Sequence, residues 1–84
     1  MNELKLINSL IKEIEKQAGN TPEVKLFLAI FAKAAVDLMC PQRHLRDSAA
    51  NYMRGDMPHL EAIGIEPAWV RRLFKEAGLS HLYT

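Results

Sequence analysis

Apolar residues fall at helical intervals almost from the start of this chain. Leu4, Ile7, Ile11 and Ile14 recur in steps of three and four, Leu6 and Leu10 widen the stripe, and charged residues fill the other face. That pattern predicts an amphipathic helix of about four turns. Gly19 ends it, and Asn20-Thr21-Pro22-Glu23 restarts the chain, with Thr21 suited to the N-cap and Pro22 to the first helical position. A second helix is expected from Pro22 to Met39. Its main stripe is Val24, Phe27, Leu28, Phe31, Ala35 and Leu38, but Ile30, Ala34, Val36 and Met39 leave only a narrow polar line through Lys25, Lys33 and Asp37. A helix apolar on most sides belongs at the centre of a core or in an oligomer interface.

Pro41 is expected to start a third helix with Leu45, Ala49, Tyr52 and Met53 inward, stopped by Gly55. Pro58 opens a short fourth helix closed by Gly64, and Pro67 a fifth, with Val70, Leu73, Phe74 and Ala77 inward, closed by Gly78. Proline at helix starts and glycine at helix ends is the order that backbone chemistry prefers. No run alternates as a strand would. The fold class this implies is all-α: a compact bundle of four to five short helices forming a single domain over residues 1–84.

With 49% apolar and 25% charged residues the chain is far too hydrophobic to stay disordered. At 84 residues one core leaves a modest surplus over conformational entropy, so a homodimer partner is a reasonable expectation. The first helix offers a heptad-like seam, though two heptads are better explained by intrachain packing. Charged residues interrupt every apolar run, which argues against a membrane span, and the single cysteine, Cys40, suits a reducing compartment, the cytoplasm. The first 40 residues are neutral and the remainder carries +1, so any affinity for nucleic acid must come from a local patch.

Residues 60–75 contain such a patch. Ile63 and Ile65 flank Gly64, and Val70 and Leu73 follow six and nine residues beyond it, the spacing of a helix-turn-helix. At about 100° per residue, Ala68, Arg71, Arg72 and Lys75 fall opposite the apolar row. That row would face the major groove of double-stranded DNA, with Arg71 and Arg72 reading guanine edges and Lys75 touching phosphate. Leu60 is bulkier than the residue such corners carry four positions before the glycine, and the supporting helix is short, so a wide crossing angle is expected. The same basic face, with Trp69 at its edge, could instead meet an acidic protein surface. Arg43, Arg46 and Arg54 of the third helix form a second positive patch for that alternative.

Chemistry beyond binding finds little support. Cys40, His44, His59 and His81 could serve as metal ligands, but Pro41 interrupts the first pair and the others lack paired spacing, so no metal or cofactor is expected. No glycine-rich turn accompanies Cys40 to form an oxyanion hole, and no paired carboxylates stand at a catalytic spacing, so the chain does not read as an enzyme.

The segment 45–79 resembles one that recurs in small phage and prophage accessory proteins. It has an alanine-bearing helix ending in bulky residues (Ala49 to Met53), a short helix (His59 to Ile63), then glycine-hydrophobic-acid-proline-x-aromatic-valine-arginine (Gly64 to Arg71). The resemblance implies a protein of the bacterial host cytoplasm that acts by binding. It would be either a regulator on DNA or a stoichiometric inhibitor of a host complex, such as an anti-CRISPR protein.

Overall fold

The computed structural model describes residues 3–84. Five α-helices follow in order: α1 (Glu3–Ala18), α2 (Pro22–Asp37), α3 (Arg43–Arg54), α4 (Pro58–Glu61) and α5 (Pro67–Glu76), with a final 3-10 turn over Ser80–Leu82. No strand occurs among the described residues, in accord with the all-α expectation. Thr21 caps α2 as its sequence position suggests, its hydroxyl accepting from the Val24 amide at 3.3 Å. Pro22, Pro58 and Pro67 each occupy the start of a helix.

Pro41 does not. α3 begins at Arg43 with Gln42 as its N-cap, and Pro41 lies in the preceding turn, where the Arg46 guanidinium donates to the Cys40 and Pro41 carbonyls at 3.0 Å each. The loop carbonyls thus find a side-chain donor instead of helical amides. Leu45, expected inward, remains only half-buried, and the inner face of α3 is Ala49 and Met53. The fourth helix is a single turn. Its end at Glu61 is followed by the bend through Gly64 at φ +84°, and Met57 before it is held at φ 44°.

α2 packs against α1, α3 and α4, and α5 lies along α1. Ile7 and Ile14 of α1, Phe31 of α2, Met53 of α3, Leu60 of α4, and Val70 and Phe74 of α5 are all completely buried. Phe31 and Phe74 meet edge to face, their centroids 6.4 Å apart, which joins the inner sides of α2 and α5. The outer sides of these two helices therefore point away from one another. No helix among the described residues is long and apolar enough to cross a membrane.

Candidate interaction surface

α5 is fixed by its inner row. Val70 and Phe74 are buried, and Leu73, Ala77 and Trp69 are half-buried against the core. On the opposite side of the helix, Ala68, Arg72 and Lys75 are exposed. Three of the four residues expected on the DNA-facing row do stand together there.

Arg71 departs from them. It is half-buried and turned back onto the end of α3, where its Nη1 donates to the Gly55 carbonyl at 2.8 Å and the Met53 carbonyl at 3.2 Å. The last carbonyls of a helix lack amide donors of their own, and a cation there also meets the negative end of the helix dipole. The Arg71 carbonyl in turn accepts from the Tyr83 hydroxyl at 3.4 Å. Arg71 is thus a tie between α3, α5 and the C-terminal turn, and it does not share the exposed row with Ala68, Arg72 and Lys75 as its sequence position suggests.

The second positive patch is engaged in the same way. Arg46 holds the loop carbonyls described above, Arg54 donates to the Tyr83 carbonyl and to Asn51 Oδ1, and Arg43 lies 3.7 Å from Asp47 on an exposed face. Of the five arginines, Arg72 is the one with no hydrogen bond or ion pair among the described residues, and Lys75 beside it has none either. Arg72, Trp69, Glu66, Ile65, Gly64 and Gln17 line an open cleft of about 290 Å³ between α5 and the end of α1. Glu66 and Glu76 are exposed on the same helix, so the face carries both signs and is not a continuous positive stripe.

The other candidate residues do not assemble. Among the described residues no three His, Cys, Asp or Glu side chains come close enough to hold a metal ion. His81 Nε2 stands 2.9 Å from Glu3 Oε2, linking the C-terminal turn to α1. Cys40 is half-buried in the turn after α2. His59 instead joins Tyr52: the phenol hydroxyl hydrogen-bonds the imidazole Nε2, and Phe27 closes edge-on against the ring at 6.3 Å. Burial pushes the His59 pKa below its ordinary value and lifts that of Tyr52 to about 12, so the pair is neutral at physiological pH. This pair had no signal in the sequence, since its members lie seven apart across the break between α3 and α4.

Comparison with family models, with curated proteins and with solved structures yields no match.

Proposed function

We propose that this chain is a non-catalytic binding module that docks on an acidic protein surface through Trp69, Arg72 and Lys75. The observation that carries the reading is the contrast among the arginines. Arg46, Arg54 and Arg71 donate to acceptors within the fold and Arg43 lies 3.7 Å from Asp47, whereas Arg72 has no hydrogen bond or ion pair among the described residues and lies at a cleft beside the single tryptophan. Tryptophan and arginine dominate binding hot spots, because one offers a large rigid apolar face and the other a planar fork that grips a carboxylate with two hydrogen bonds. Lys75, one turn further along, extends the reach of that positive end.

Recognition of DNA by α5 has less behind it. With Arg71 engaged at α3, two cations remain on a row flanked by Glu66 and Glu76, whereas affinity for a duplex grows with the number of phosphates neutralised. α4, a single turn, also gives α5 little of the supporting helix that a helix-turn-helix uses. The phage-type resemblance of residues 45–79 supplies the setting we propose for the module, stoichiometric inhibition of a host protein complex.

Affinity capture from bacterial lysate, with and without nuclease, separates the two readings. The expected result is a nuclease-resistant protein partner retained by the wild type and lost with Trp69→Ala or Arg72→Glu. Retention that disappears with nuclease and falls steeply with salt would overturn the protein-docking reading in favour of DNA.

A further inference from the structure

The Trp69–Arg72 cleft carries two opposite charges, and the fold uses neither of them. Glu66 and Arg72 both line it, with Trp69 midway between them in sequence, and Gln17 of α1 lines it from the other helix. None of these three polar side chains has a hydrogen bond or ion pair among the described residues. The groove between α2 and α3 shows the contrast, since the two ions that line it, Lys33 and Asp37, pair with each other at 3.3 Å. Glu66, Arg72 and Gln17 are exposed, so water satisfies them in the unbound chain. A ligand that displaces this water has to match each group in turn, or it loses more than it gains.

The signs say what fits. An acid placed at Arg72 gains charge-assisted hydrogen bonds from the guanidinium, but a second acid placed at Glu66 meets a like charge. The occupant is therefore dipolar, with an acid at the Arg72 end, a base at the Glu66 end and apolar surface over Trp69. Six residues of α5 separate the two charges, about 9 Å along the helix axis. Three residues of an extended peptide cover about 10 Å. A helix would need about six residues for the same distance in a body at least ~10 Å wide, too broad for a cleft of about 290 Å³.

The cleft also offers main-chain groups to an extended segment. Glu66 is itself extended, with φ −78° and ψ 126°, and its amide and the Gly64 carbonyl have no partner among the described residues. The Ile65 amide between them is taken by the Leu60 carbonyl at 2.9 Å. A carbonyl and an amide on either side of one residue are the pair that one extended chain presents to another. The Gln17 amide adds one more donor and acceptor.

We propose that the occupant of this cleft is an extended peptide segment of the partner protein with a basic and an acidic residue three positions apart, the base held by Glu66, the acid by Arg72 and the residues between them lying over Trp69. The inference rests on the reading of this cleft as the docking site, and it makes Glu66 the residue that determines specificity there.

Trp69 is the single tryptophan, so its fluorescence reports occupation of the cleft directly. The probes are two capped hexapeptides without aromatic residues, acetyl-Gly-Lys-Ala-Leu-Glu-Gly-amide and the same peptide with glutamate in place of lysine. Each is titrated into the full chain at fixed ionic strength to about 5 mM, enough to define a Kd of about 1 mM. The wild type is expected to bind the lysine peptide about tenfold more tightly than the all-acid one. Glu66→Gln is expected to remove most of that preference, Glu66→Lys to invert it, and Arg72→Ala to weaken both peptides. Circular dichroism confirms that each variant is helical before it is titrated. Equal affinity of the wild type for the two peptides overturns the inference, as does a preference that Glu66→Lys leaves unchanged or a Trp69 signal that neither peptide moves. The docking reading fails on a different result, capture from lysate that survives both Trp69→Ala and Arg72→Glu.

Discussion

Arg71 and Arg72 are neighbours in sequence with opposite assignments. Arg71 donates to two main-chain carbonyls at the end of α3, and Arg72 makes no hydrogen bond or ion pair among the described residues. A charged donor to half-buried carbonyls is worth about 2 kcal/mol, so Arg71→Ala should lower the unfolding free energy by roughly that amount in urea titration. Arg72→Ala should change it by less than about 0.5 kcal/mol, as exposed substitutions do, while weakening partner binding. A helical wheel could not separate the two. It gives the direction in which a side chain leaves its own helix, and the acceptors of Arg71 lie 16 and 18 residues earlier, at a helix end whose position in space comes only with the tertiary fold. His59 makes a second case. Its pKa is depressed by burial, so between that lowered value and the ordinary 6.5 the unfolded chain binds the extra proton and the folded chain does not. Its contribution to stability is therefore complete above 6.5 and is lost as pH falls through 6.5 toward the folded-state pKa. Urea midpoints should drop as pH falls through 6.5, and His59→Phe should flatten that slope.

Among the helices and turns, the two glycine bends at the ends of α4 and α5 repeat one design. Gly64 and Gly78 take φ +84° and +76°, the Ile65 amide returns to the Leu60 carbonyl at 2.9 Å, and the Leu79 amide to that of Phe74 at 2.8 Å. In each bend the residue after the glycine and the residue it bonds are both buried, the apolar contact that accompanies a Schellman ending. This also accounts for Leu60, too bulky for a close helix crossing but suited to closing that contact. No heavy atom would lie within 4 Å of a Cβ added at Gly64, so Gly64→Ala should cost about 1 kcal/mol from the backbone conformation alone, measurable as a shift in urea midpoint. These ends were legible because glycine at a left-handed position and proline at a first turn are local requirements. The start of α3 was not, since Pro41 meets the same local rule and is displaced from it by the reach of Arg46 to its own carbonyl. The inner row of α5 was legible for the same reason as the bends, and Leu45 was misread because a stripe does not reveal where its neighbours end.

For the molecule as a whole, the Phe31–Phe74 contact decides how the two surfaces relate. It joins the inner sides of α2 and α5, so the exposed side of α2 and the Trp69–Arg72 cleft lie on different flanks of the molecule. Titration calorimetry against the captured protein partner should give one partner per chain, since each chain carries one Trp69–Arg72 cleft. A stoichiometry of one partner per two chains would mean that the clefts converge. The excess apolar character of α2 was visible in the sequence as a choice between core and interface, and the fold buries one side of the helix and leaves Leu26, Ile30 and Val36 exposed on the other. The smallest dimension of the protein is 19 Å, and a filled aromatic core occupies the space between the two flanks. Substitutions that far apart, with no shared neighbours, add their effects independently. Substitutions in the Trp69–Arg72 cleft should therefore leave the packing of the α2 flank undisturbed.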